Sequence, residues 1–191
     1  MRQYSALTHS PLAAGARVAQ PAGPERVALD DPAFAVMTDL TAVAAATTHA
    51  DEFADKAHAQ MIQRGVRLLF VLDRDSRVTG VITATDLLGE KPLRLVQSRG
   101  IARGEIRVGD LMTPAEKLEA MSMQDVSQMR VGHVVATLKA VGRQHLMVAE
   151  EGGQRVRGLF SASQVARQLG MPLQTWEVAS TFADIEAALV R

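Results

Sequence analysis

The chain has 191 residues, 47% hydrophobic and 22% charged, enough for one large domain or two small lobes sharing a core. Its 21 basic residues balance its 21 acidic ones, so no net field draws it to nucleic acid or to an anionic membrane. The absence of Cys excludes a disulfide framework, a thiolate metal site and a cysteine nucleophile. No apolar run approaches the ~18–20 residues that span a bilayer, and Pro11-Leu12-Ala13-Ala14 is too short for a signal-peptide core. A cytoplasmic protein is expected.

In chain order, residues 1–24 mix Ser, Ala, Gly and Pro without period and read as an arm. Glu25 to Leu29 reads as a short strand. Asp30-Asp31-Pro32 then opens a short helix carrying Phe34, Val36 and Met37. Thr48-x-x-Asp51 reads as the cap of a long helix with Phe53, Ala54, Ala57 and Met61 on one face and Gly65 as its terminator. Val66 to Leu72 is of strand length, Asp73 to Arg77 makes a hairpin turn, and Val78 to Thr83 returns. A helix is expected from about Asp86, interrupted at Gly89 and resumed at Pro92. Residues 98–109, polar and rich in Arg and Gly, read as a linker.

The pattern then restarts. Met112-Thr113 follows Met37-Thr38 at a spacing of 75, and Val134, Leu138 and Gly142 follow Ala57, Met61 and Gly65 at 77. The turn at Glu151-Gly152-Gly153-Gln154 is one residue longer, which sets Gly158-Leu159-Phe160-Ser161-Ala162-Ser163-Gln164 at 78 from Gly80-Val81-Ile82-Thr83-Ala84-Thr85-Asp86. A repeat that changes register only at a turn is an internal duplication. The expected fold is α/β (α+β): two pseudo-symmetric repeats, each a small sheet covered by helices, packed sheet to sheet. The boundaries are 1–34 for the arm and lead-in, 35–97 for the first repeat, 98–109 for the linker, 110–170 for the second repeat and 171–191 for a C-terminal tail helix. That tail carries Phe182, Ile185 and Leu189 as an amphipathic stripe.

This ordered set, occurring twice between about Ala35 and Gly170, resembles the cystathionine β-synthase (CBS) domain family. Its members normally occur as tandem pairs, often called Bateman modules. In the first repeat the resemblance rests on Met37-Thr38, Ala57, Met61, Gly65-Val66-Arg67, Val71-Leu72-Asp73 and Gly80 to Leu87. In the second it rests on Asp110 to Pro114, Val148 and Gly158 to Ser163. The second repeat is the more divergent: Met147 and Ala149 replace the usual proline or valine, and Gln164 replaces the acid. The resemblance implies a regulatory fold without catalysis that binds an adenosyl ligand (AMP, ADP, ATP, S-adenosylmethionine, sometimes NAD) and dimerises through its helices. It implies that Asp86 grips the ribose hydroxyls and that Thr83 and Thr85 approach phosphate. The adenine slot would lie around Ala44 to Thr47 and Val66 to Leu68, so Ala46, Thr47, Val66 and Arg67 join the first site. A second, weaker site would hold Ser161, Ser163, Gln164 and His145.

The residues themselves suit that chemistry. A carboxylate accepts both hydroxyls of a cis-diol, and a charge-assisted hydrogen bond is typically worth ~1.5–3 kcal/mol. Thr83, at a strand end before a helix, would set a hydroxyl beside free backbone N–H groups suited to an anion. Asp86 is equally suited to capping the helix that follows it. Gln164 lacks charge and offers one carbonyl in place of two oxygens. The histidines show no metal-site spacing, and the nucleotide-binding loop and hydrolase signatures are missing, so neither metal nor catalytic residues are expected. Ser163 to Thr175 resembles helix–turn–helix phrasing. Its candidate second helix carries Trp176, Glu177 and Val178 without Lys or Arg, which leaves DNA-binding regulation a minor alternative and nucleic acid no expected partner. The main alternative to an adenosyl sensor is a structural or dimerisation module without ligand. As a sensor the chain would be a homodimer read by an effector protein.

Overall fold

The computed structural model describes residues 5–19 and 26–170. The expected tail helix, the second helix of the helix–turn–helix phrase and Glu25 lie outside the described residues. Among the described residues, eight strands form two four-stranded sheets. The first, in order β2-β3-β4-β5, contains β2 (Thr47–His49), β3 (Leu68–Leu72), β4 (Val78–Thr83) and β5 (Thr113–Pro114). The second, in order β1-β8-β7-β6, contains β1 (Thr38–Asp39), β8 (Arg155–Ser161), β7 (His145–Glu150) and β6 (Ala120–Ser122). The expected fold class is the one observed.

Each repeat builds a hairpin, β3–β4 or β7–β8, flanked by a short parallel strand, β2 or β6. The fourth strand of each sheet comes from the other repeat. Thr38 pairs with Leu159 and Asp39 with Gly158, while Val81 pairs with Thr113 and Gly80 with Pro114. The lead-in of each repeat therefore completes the sheet of its twin.

The exchange explains both repeated glycines. A Cβ on Gly80 would lie 2.5 Å from the Thr113 carbonyl oxygen, and one on Gly158 would lie 2.8 Å from that of Thr38. No side chain fits where the exchanged strand crosses.

The helices are α1 (Ala54–Arg64), α2 (Ala84–Leu88), α3 (Glu90–Arg99), α4 (Val108–Leu111), α5 (Met123–Val126), α6 (Val131–Val141) and α7 (Ala162–Gln168). α1 and α6 both stop at a glycine in the left-handed region, Gly65 (φ 65) and Gly142 (φ 61). Strand residues alternate between two apolar environments. Leu69, Val71 and Ile82 face the helices with Ala57 and Met61, whereas Leu68, Phe70 and Val81 meet Met147 between the sheets. Burial on both faces is why Leu68 to Leu72 reads as an unbroken apolar run.

Several local expectations change. Residues 26–28 form no strand; the Val27 N–H donates to the Gln168 carbonyl at 3.0 Å and the Leu29 carbonyl accepts from Gly132 at 2.9 Å. Their partners are helix ends, so no ladder can propagate. The next segment is a 3-10 turn, Ala33–Val36, with Ala33 and Val36 buried and Phe34 left 40% exposed. Thr48 belongs to β2 and does not cap α1, which Phe53 precedes. α2 begins at Ala84, with Thr83 as its cap. In the expected linker, Ile106 and Val108 are buried with Leu111 in the core formed by α1 and β3. Their two apolar side chains were outweighed by the polar composition around them.

Candidate functional site

Two clefts open where the strand ends of one repeat meet the helix–strand turn of the other. One, of about 340 Å³, is lined by Thr83, Thr85 and Asp86 from the β4–α2 junction and by Gly142, Arg143, Gln144 and His145 from the α6–β7 turn. The other, of about 300 Å³, is lined by Ser161, Ser163 and Gln164 from the β8–α7 junction and by Gly65, Val66 and Arg67 from the α1–β3 turn. Both volumes lie near the lower end of the ~300–1,000 Å³ of small-molecule sites.

The residues expected at one site are thus divided. Ala46, Val66 and Arg67 line the cleft of Gln164, opposite to the cleft of Thr83, Thr85 and Asp86. Thr47 lines neither; its carbonyl accepts from Gln60 Nε2 at 2.9 Å. His145, expected with Gln164, lies on the boundary and lines both clefts. Thr113, Arg143, Gln144 and Arg167 also line the clefts without having been singled out. The repeat offset pointed to two of them, since Arg143 and Gln144 follow Val66 and Arg67 by 77.

The two junctions differ in their bonding. Asp86 is buried, and its Oδ2 accepts from the Thr83 backbone N–H at 2.9 Å and the Thr83 hydroxyl at 2.7 Å. The Asp86 N–H donates back to Thr83 Oγ1 at 3.2 Å, closing a capping box. Lys91 Nζ on α3 meets Oδ1 at 2.5 Å and reaches the Leu111 carbonyl at 3.4 Å. Asp86 already satisfies the donors where sequence placed an anion. Lys91 does not line the cleft, so it neutralises Asp86 from behind. Oδ2 is saturated by its two donors, and Oδ1 keeps one lone pair for a hydroxyl.

Ser161 makes no capping bond; its hydroxyl lies 3.0 Å from that of Ser163. Gln164 accepts instead from the Thr38 hydroxyl at 3.2 Å, on the exchanged strand. A longer, neutral side chain has left its own helix for the neighbouring repeat. Charge differs as well. Among the described residues, the Gln164 cleft carries Arg67 and Arg167 without a carboxylate, whereas the Asp86 cleft carries Asp86, Glu119 and Arg143. Glu119 and Arg143 approach one another at 3.6 Å.

The His145 imidazole stands between them. Desolvation lowers its pKa from 6.5 to about 4; Arg67 adds to the fall and Asp86 opposes it. No group of three metal-ligating side chains occurs among the described residues, and no helix among them is long and apolar enough to cross a membrane.

Residues 35–92 match the family model described as CBS domain. No curated protein matches the sequence. Among solved structures, an uncharacterized conserved protein from Pyrococcus horikoshii superposes with a TM-score of 0.55 at 20% identity, covering 78% of this chain and 100% of its own. A CBS-domain containing protein from Agrobacterium tumefaciens gives 0.52 at 19% identity, covering 68% of this chain and 88% of its own. CBSX2 in complex with AMP gives 0.51 at 21% identity, covering 72% and 94%. Residues 35–92 are therefore a CBS domain, and the chain has the fold of CBS-domain pair proteins.

Proposed function

We propose that the chain is a non-catalytic regulatory module that binds an adenosyl ligand (AMP, ADP, ATP or S-adenosylmethionine) and transmits occupancy to an effector protein or to its own oligomeric state. The observation that carries this reading is the pair of open clefts at equivalent junctions of the two repeats, each lined by hydroxyls and by the facing turn of the other repeat. CBSX2, which shares the fold, is described in complex with AMP. Asp86 Oδ1 is the proposed ribose acceptor, with Thr83 and Thr85 beside it. Arg67 and Arg167 suit a phosphate in the other cleft, where Ser161, Ser163 and Gln164 replace the hydroxyl–acid set.

A thermal-shift panel with AMP, ADP, ATP, S-adenosylmethionine and NAD tests the reading. At least one ligand at millimolar concentration should raise the midpoint; no shift with any of them sinks the sensor reading. For a ligand of the Asp86 cleft, Asp86→Ala should weaken binding about tenfold or more, while Gln164→Ala does little. A ligand lost with Arg67→Gln and retained with Asp86→Ala belongs to the other cleft.

One observation favours a second reading, a structural module without ligand. The bonds of Asp86 to Thr83 and Lys91 are those of a helix cap, and a cap needs no nucleotide.

Both readings propose a cytoplasmic homodimer. Ile62, Leu88 and Leu93 on α1, α2 and α3 are 69%, 51% and 60% exposed, an apolar set suited to a second copy. Sedimentation velocity should show a dimer, and Ile62→Glu should shift it toward monomer.

A further inference from the structure

A third and larger cavity, of about 800 Å³, lies between the two sheets and holds a cation that the rest of the fold leaves unused. It is a trough running from the β3–β4 turn to the β7–β8 turn. Phe70, Leu72 and Val78 line one wall and Met147, Ala149 and Val156 the other. These side chains continue the apolar layer that holds the sheets together.

The two turns deliver one arginine each, Arg77 and Arg155, related by the repeat offset of 78. They are not equivalent. Arg155 is held by Glu150 at 3.3 Å and by Glu151 at 3.7 Å. Among the described residues the only acid lining the trough, Glu119, faces Arg143 at 3.6 Å.

Arg77 is exposed, and among the described residues its guanidinium has no ion-pair or hydrogen-bond partner. Its backbone is well fixed. Asp73 Oδ1 accepts from the N–H groups of Asp75 at 2.9 Å and Arg77 at 2.8 Å, and the Asp73 N–H donates to the Arg77 carbonyl at 2.9 Å. Ser76, in the left-handed region at φ 60, adds a hydroxyl to the same rim.

We propose that this trough binds an amphipathic monocarboxylate, its acyl body lying between the two sheets and its head group on Arg77. A guanidinium matches a carboxylate as a planar two-donor fork. One unpaired cation over apolar walls suits one negative charge on an apolar body; a di- or triphosphate would find a single partner here.

Octanoate titrated calorimetrically into the full chain, with octanol as its uncharged counterpart, tests the assignment. Octanoate should bind saturably with one site per chain, and octanol about tenfold or more weaker. Arg77→Gln, on an exposed turn, should weaken octanoate by about tenfold or more. Ala120→Trp, which fills the trough from the exposed edge strand β6, should abolish binding. Arg67→Gln, in the cleft of Gln164, should leave it unchanged. Absence of saturable binding overturns the proposal, as does equal binding of octanol. Affinity that survives Arg77→Gln or Ala120→Trp also overturns it, and so does affinity lost with Arg67→Gln. None of these outcomes depends on whether an adenosyl ligand binds elsewhere.

Discussion

Asp86 and Gln164 stand at equivalent ends of β4 and β8, and their bonds make the two junctions unequal. The short acid turns back on its own helix and is neutralised by Lys91; the longer amide reaches the exchanged strand at Thr38. Between them His145 supplies a pH response with a definite sign. Its pKa falls from 6.5 in the open chain to about 4 in the folded one, through desolvation first and Arg67 second, against Asp86. Below the upper value the unfolded chain takes up a proton that the folded chain refuses, so stability falls as pH drops through that window and the effect levels off beneath it. Urea unfolding at about pH 7 and about pH 5 should show this loss, smaller in His145→Gln than in the parent. An unchanged loss in the variant would assign the acid sensitivity to other groups.

Among the elements, the lead-ins decide the architecture. β1 and β5 have two residues each, yet each completes a sheet, and the segments leading into them deliver apolar side chains to the cores. Ala33 and Val36 pack with Val131, Val134 and Phe160, while Ile106, Val108 and Leu111 pack with Ala57 and Met61. Arg157 on β8 is ion-paired with Asp39 on β1, and that guanidinium, with the Thr41 hydroxyl and N–H, holds the Asp39 carboxyl well below its ordinary range. Gly80→Ala and Gly158→Ala should each destabilise by ~1–3 kcal/mol in urea titrations, since the backbone that a methyl would strike is part of the ladder. The larger loss is expected at Gly80, where the approach is 2.5 Å against 2.8 Å.

At the scale of the molecule, the exchange makes the lobes interdependent. A fragment ending at residue 104 lacks Ile106, Val108, Leu111 and β5, and so lacks part of the core and one edge of its sheet. It should show no cooperative thermal transition by circular dichroism. Mixing it with residues 105–191 should restore one. A cooperative transition in the isolated fragment would mean that the lead-in is dispensable. The fold class was legible in advance because hydrophobic periodicity and turn residues are local, and their duplication doubled the signal. α6, both hairpins and the caps at Gly65 and Gly142 follow from such local rules. Met121, Met123 and Met129 pack against the core that contains Val131, Met112 against the one that contains Leu111, and Met147 is buried between the sheets.

By itself the sequence determined the two repeats, the long helices α1 and α6, both hairpins, and the hydroxyl and acid or amide side chains that end β4 and β8. Each of these is written in residues only a few positions apart. Only the tertiary structure decided that Ala46, Val66 and Arg67 face Gln164 and not Asp86, and that Ile106 and Val108 belong to a core and not to a linker. The reason is that these sheet partners and cleft walls are chosen across long stretches of chain, 32 residues for Val81 with Thr113 and 121 for Thr38 with Leu159. A local pattern carries the strand but not the identity of its neighbour, and here each neighbour came from the other repeat.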